Sequence, residues 1–180
     1  PSPVSYFEQV NPLMEQLAAS LGYEVEYDRK HTVYIKVPGK DRTRTVCVGA
    51  HLDTLGLMVK HIDNDGVLRV RNLGGINFNS IEGETVTVYA RNGKTYTGLV
   101  ACQSHSVHVF DDAKTLERNE NTMIVILDEN VHSAEEVRAL GIENGDILSI
   151  EPHFTVTEKG FIKSRFIDDK ACVACSLVML

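Results

Sequence analysis

Two short clusters hold the residue types whose spacing could do chemistry: His51-Leu52-Asp53 and Asp168-Asp169. Residues i and i+2 of a strand project to one face, so His51 and Asp53 can touch. A carboxylate beside an imidazole fixes its tautomer and raises its basicity, as it does behind metal-binding histidines. The same pair also reads as a plain hydrogen-bonded couple at a strand end. Asp168-Asp169 stands before an apolar stretch of helical length. There a carboxylate can cap the helix and place negative charge in its first turn. Alternatively, one short acidic side chain can bridge two divalent cations about 3.5–4 Å apart and offset their repulsion.

These motifs need elements to position them. Residues 45–50, Thr-Val-Cys-Val-Gly-Ala, are nearly all apolar. That run predicts a strand buried on both faces, leading straight into His51. Ligand sites of open α/β sheets gather at such strand ends. Ahead of it, Phe7, Val10, Met14, Leu17, Ala18 and Leu21 recur at helical spacing over 4–21. Pro12 is predicted to kink or divide that helix and Gly22 to stop it. Strands are predicted near 23–28 and 32–37.

The middle of the chain changes character. Strands are predicted at 55–62, 67–71, 85–90 and 95–100, the last two flanking Asn92-Gly93, a strong hairpin signal. Others are predicted around 105–110, 122–127 and 146–150. A short helix over 134–140 has Ser133 as its N-cap, with Glu135 and Glu136 in its first turn. Residues 111–121 are polar and read as an exposed loop. Many short strands separated by turns indicate a small antiparallel barrel or sandwich. From about 164 the α/β character returns. The predicted organisation is therefore a discontinuous α/β domain, 1–55 with 164–180, interrupted by an inserted β-domain at 56–163.

Composition narrows the functional classes. With 180 residues, 43% apolar and 24% charged, the chain can bury a real core. Its net charge of −7 disfavours nucleic acid, whose phosphates need a basic surface, and an anionic membrane surface. The opening Pro1-Ser2-Pro3 shows no signal peptide. The apolar run 171–180 stops without cap, Gly, Pro or polar tail, and is expected to be a cut end. Four cysteines are too few for a disulfide scaffold. Cys47 and Cys102 fall in apolar strand patterns. Cys172 and Cys175 form a CxxC whose first thiol lies a turn inside the helix, so all four are expected to be buried thiols in a reducing cytoplasm. His105 and His108, at i and i+3 of a predicted strand, face opposite sides and do not form a joint site. Gly74-Gly75 lacks the Lys-Ser/Thr and helix of a phosphate loop and reads as a barrel turn.

In combination, the motifs resemble the M42 family of metallo-aminopeptidases. The resemblance covers essentially the whole chain. It runs from Ser2-Pro3 and the strand entering Ala50-His51-Leu52-Asp53, through Gly56-Leu57-Met58-Val59, Gly74-Gly75, Gly141-Ile142 and Gly145-Asp146, to Asp168-Asp169-Lys170. More than a hundred β-rich residues separate the two metal motifs, which looks like the β-barrel or PDZ-like insertion of M42. M18 aminopeptidases, also with a large insertion, are the nearest alternative in the clan.

The resemblance implies a zinc-exopeptidase-like α/β catalytic domain, partial in this chain. It implies that His51 binds one metal, Asp53 orients His51, and Asp168 bridges two metals. Asp169, across a peptide bond often strained in this clan, helps hold the site. It implies two divalent ions, Zn²⁺ by default with Co²⁺ or Mn²⁺ as alternatives, a peptide substrate, and homo-oligomeric shells, often dodecamers. The general-base Glu and the remaining ligands lie beyond the second Asp motif in that family. Many members have Glu after the HxD where this chain has Thr54. A non-catalytic assembly module or peptide-binding β-domain is the competing expectation.

Overall fold

A computed structural model describes all 180 residues. The backbone divides into two compact units: Pro1–Thr54 with Ser164–Leu180, and Leu55–Lys163.

The first unit begins with helix α1, Val10–Ser20, which buries Val10, Met14 and Ala18 along one stripe. Pro12 does not kink it. The proline is the third helical residue, where its missing N–H would have had no intrahelical partner anyway. Gly22, at φ +84°, ends the helix. The Tyr23 N–H donates to Ala18 O at 2.9 Å and the Gly22 N–H to Ala19 O at 3.0 Å, which closes a Schellman cap. Strands β1, Val25–Tyr27, and β2, Val33–Ile35, pair antiparallel with each other alone.

Residues 45–50 do not form the predicted two-sided buried strand. They carry no strand pairing, and Val46 and Val48 are 87% and 65% exposed. A strand becomes buried only by lying between neighbours, and β1 and β2 pair elsewhere. The segment after it is fixed from the N-terminal side instead. Ser2 Oγ donates to Leu52 O at 2.6 Å. The Thr54 N–H donates to Ser2 O at 2.8 Å, and the Val4 N–H to Thr54 O at 3.2 Å. Thr54 itself is buried.

The second unit is a closed barrel of six strands. They are β3 (Gly56–Ile62), β4 (Leu68–Leu73), β5 (Thr85–Tyr89), β6 (Thr95–Cys102), β7 (Met123–Leu127) and β8 (Ile147–Ile150), in the order β3-β4-β7-β6-β5-β8. Closure comes from β3 against β8, with Leu57 opposite Leu148. Inward positions alternate as a half-buried sheet requires: Leu57 and Val59, Leu68 and Val70, Val86 and Val88, Val100, Met123 and Val125, Leu148 and Ile150 are all within 2% of full burial. Gly98 lets β6 and β7 approach. A Cβ there would stand 2.7 Å from Ile126 O and 3.0 Å from Val125 Cγ1.

The β5–β6 hairpin turns through Arg91, Asn92 and Gly93, with Gly93 at φ +81° and its N–H on Ala90 O at 2.9 Å. Helix α2, Ala134–Ala139, is capped by Ser133, whose Oγ accepts from the Glu136 N–H at 3.2 Å. Glu136 reaches back to the His132 N–H at 2.6 Å. A small hairpin, β9 (Thr155–Val156) with β10 (Ile162–Lys163), completes the unit.

The strand predicted at 105–110 is absent. Strands β6 and β7 pair with each other up to Cys102 and Met123, so the chain between them is a long hairpin loop outside the ladder. That leaves Val107 and Val109 exposed. Arg118 pins the loop, donating from Nε and Nη2 to the Glu82 carboxylate at 2.8 and 3.2 Å. No helix in the molecule is long and apolar enough to cross a membrane.

Candidate metal centre

The chain returns to the first unit in helix α3, Ile167–Val178. Its opening is not helical: Asp168 has φ −77°, ψ 111° and Asp169 has φ −122°, ψ 30°, with a cis peptide bond between them. Regular helix therefore begins at Lys170. Asp169 stands one residue before it. Of the two acidic residues, Asp168 is the one whose carboxylate meets the His51 ring.

His51 and Asp168, 117 residues apart, meet with Nε2 3.0 Å from Oδ1. The other ring nitrogen, Nδ1, lies 3.1 Å from the main-chain O of Asp53 and 3.5 Å from its Oδ1. Asp53 thus holds the ring with its carbonyl as well as its carboxylate. With Nδ1–H on Asp53, Nε2 is the nitrogen free to ligate. Donor atoms of His51, Asp168 and Asp169 all lie within 4.8 Å of one another. The Nε2–Oδ1 separation suits two donors on one cation. Donors about 2.0–2.1 Å from zinc lie roughly 2.9–3.4 Å apart at angles between about 90° and 109°.

The electrostatics agree with a cation there. The hydrogen bond it makes to the Asp168 carboxylate raises the His51 pKa above its ordinary value near 6.5, with smaller help from Asp53. A proton on His51 occupies the position a metal ion would take between nitrogen and carboxylate. Asp169 is held below the usual carboxylate range, first by the Cys172 thiol and then by the main-chain N–H groups of His51 and Cys172. In return, the Asp169 carboxylate pushes the thiol pKa up.

Other sequence candidates do not join this group. His108 is exposed in the β6–β7 loop, and His105 tilts against Phe110 with ring centroids 5.6 Å apart. Gly74, at φ +83°, sits in the turn after β4. Of the four thiols, all free, only Cys102 is buried. Cys47, Cys172 and Cys175 are exposed, against expectation: Cys47 lies in the unpaired segment 45–50, and helix α3 buries none of its side chains. A raised thiol pKa also removes the thiolate character a redox CxxC needs.

Comparison with known proteins follows the same residues. A family-wide profile described as M42 glutamyl aminopeptidase matches residues 32–180. The Bacillus subtilis protein YhfE is 41% identical over 180 residues, covering 100% of this chain and 52% of YhfE. The lysyl aminopeptidase of Pyrococcus furiosus is 28% identical over 164 residues, 91% of this chain and 46% of that protein. Among solved structures, the aminopeptidase APDkam598 of Desulfurococcus kamchatkensis superposes with a TM-score of 0.84 at 26% identity, over 99% of this chain and 48% of that one. The chain spans about half the length of these relatives.

Proposed function

The chain belongs to the M42 peptidase family, and from that premise we propose that His51 and Asp168 are ligands in the two-metal centre of an aminopeptidase, with Asp168 as the bridging carboxylate. The observation that carries this reading is the 3.0 Å approach of His51 Nε2 to Asp168 Oδ1 across 117 residues of sequence. Divalent ions held there would polarise a peptide carbonyl and lower the pKa of a bound water.

This chain's residues do the holding. His51 presents Nε2, with its ring fixed by Asp53. Asp168 offers a largely exposed carboxylate, its side chain 93% accessible, with room to bridge. Asp169 lies beside them, with a donor atom within 4.8 Å of those of His51 and Asp168. The group contains no Glu, so a general base is not among these three residues. Imidazole and carboxylate donors suit Zn²⁺, and also Co²⁺ or Mn²⁺. The substrate of this reading is the N-terminal end of a peptide. The assembly is a homo-oligomer, which light scattering tests directly.

The competing reading, a non-catalytic assembly module or peptide-binding β-domain, has no observation in its favour beyond the barrel itself.

Calorimetric titration with Zn²⁺ tests the proposal on the chain itself. Saturable binding is expected in the wild-type chain, lost in both His51→Ala and Asp168→Asn. A wild-type titration indistinguishable from that of His51→Ala would sink the reading.

A further inference from the structure

The residues that precede helix α1 are tied to the His51 motif by hydrogen bonds that the metal reading does not use. Ser2 Oγ donates to Leu52 O at 2.6 Å, across 50 residues of sequence. The Ser2 main-chain O accepts the Thr54 N–H at 2.8 Å, and the Val4 N–H donates to Thr54 O at 3.2 Å. Pro3 and Thr54 form an isolated parallel bridge. Ser2 is 2% exposed, so water has little access to its side of these bonds.

What the contacts hold is Asp53. A peptide unit is planar, so the backbone conformation of a residue is set by the two peptide planes that flank it. The plane before Asp53 contains Leu52 O, which the Ser2 side chain binds. The plane after it contains the Asp53 carbonyl and the Thr54 N–H, and Ser2 O accepts that N–H. The same carbonyl lies 3.1 Å from His51 Nδ1. One buried serine thus grips both planes, one with its side chain and one with its main chain. The N–H and C=O of a trans peptide point in opposite directions. Fixing the Thr54 N–H on Ser2 therefore aims the Asp53 carbonyl the other way, at the imidazole.

We propose that Ser2 is a positioning residue of the metal centre: by holding the two peptide planes around Asp53 it keeps the Asp53 carbonyl on His51 Nδ1, and so presents Nε2 toward Asp168. Its consequence rests on the metal reading, while the hydrogen bonds stand without it. Two of the three bonds join main-chain atoms and survive a change of side chain. The Ser2 hydroxyl is the replaceable donor. Groups that orient metal-binding histidines from behind cost about 10–100-fold in metal affinity when removed. Ser2 acts one step further back, with two main-chain bonds left in place, so the expected loss is at the lower end, about tenfold.

Two variants of the full chain test this. Ser2→Ala removes the hydroxyl. Ser20→Ala is the matched control, since Ser20 Oγ also donates to a main-chain carbonyl of the same unit, Leu17 O at 2.7 Å, at the last residue of α1. Hydrogen exchange of the Thr54 amide in metal-free protein reads the grip directly, because that N–H keeps its main-chain acceptor in both variants. Exchange should accelerate in Ser2→Ala and stay unchanged in Ser20→Ala. Zn²⁺ affinity by calorimetry should fall about tenfold in Ser2→Ala alone. The Co²⁺ absorption bands at saturating metal separate positioning from stability. A residue that served only the fold would lower occupancy and leave the band shape as it is, whereas Ser2→Ala should change the shape. Unchanged Thr54 exchange in Ser2→Ala overturns the proposal. Faster exchange with wild-type Zn²⁺ affinity and Co²⁺ bands overturns it too. If the wild type binds no metal, the metal reading fails and takes the role of Ser2 in the centre with it, while Thr54 exchange still decides whether the serine holds Asp53.

Discussion

The barrel and the unit that carries His51 treat polar groups in opposite ways. In the barrel, charged side chains secure loops. Arg118 holds Glu82, and the buried Asp146 carboxylate accepts the Glu143 N–H at 2.8 Å and Arg91 Nε at 3.3 Å. Each is a closed contact within the barrel unit, and the fully buried strand positions are left to Leu, Ile, Val, Met and one Cys. In the other unit the polar groups converge from distant parts of the sequence. His51, Asp53, Asp168 and Asp169 assemble on main-chain scaffolding, while helix α3 buries none of its side chains. One region is organised around burial, the other around the geometry of a few exposed donors. The chain's stability and its chemistry are thus separable, and each can be perturbed alone.

The largest expected effect tests that separation from the barrel side. Leu148 is fully buried, and Leu148→Ala should cost about 2–5 kcal/mol in urea unfolding, while Zn²⁺ binding at 25 °C stays intact under native conditions. A parallel loss of binding would break the comparison. His51→Ala tests it from the other side. Zn²⁺ affinity should drop by at least about 100-fold, more than removal of a supporting group costs, with the unfolding midpoint of the metal-free protein unchanged. Protonation sharpens this. Because the folded His51 pKa lies above 6.5, the proton competes with metal to higher pH than for a free imidazole. Wild-type affinity should therefore climb with pH until it passes that raised value.

Smaller effects return to the barrel. Gly98→Ala places a methyl against Ile126 O and should cost about 1–3 kcal/mol, read as a lower urea midpoint. The smallest concerns Glu82, whose pKa is lowered from its ordinary value near 4.5, chiefly by the hydrogen bond from Arg118. A depressed folded pKa stabilises above the unfolded value and is lost as pH falls through the folded one. Urea unfolding at pH 6 should show Glu82→Gln weaker than wild type by up to about 1 kcal/mol. The gap should narrow as pH drops below 4.5.

Much of the barrel was legible because each of its signals is local. Alternation in 85–90 and 95–100, with Asn92-Gly93 between them, specifies a hairpin without reference to anything distant. The cap of α2 at Ser133 is equally local. Composition could not reveal that 45–50 would stand unpaired, since an apolar run states a preference for burial and not the presence of neighbours. Pro12 misled for a positional reason. A proline breaks a helix interior but fits a first turn, and the periodicity did not show where the first turn lay. At the proposed metal centre, residue types pointed to His51 and Asp168. That Asp168 rather than Asp169 meets the His51 ring needed backbone geometry, because the two adjacent carboxylates are chemically identical in the sequence.

The pairing of β3 with β8 sets Leu57 opposite Leu148, so the polypeptide leaves the barrel strands beside the point where it entered them. A segment whose two ends lie side by side is a cassette. It can be exchanged for a longer or shorter one without stretching the chain that flanks it. The loops between those strands can therefore lengthen or shorten without pulling the first and last barrel strands apart.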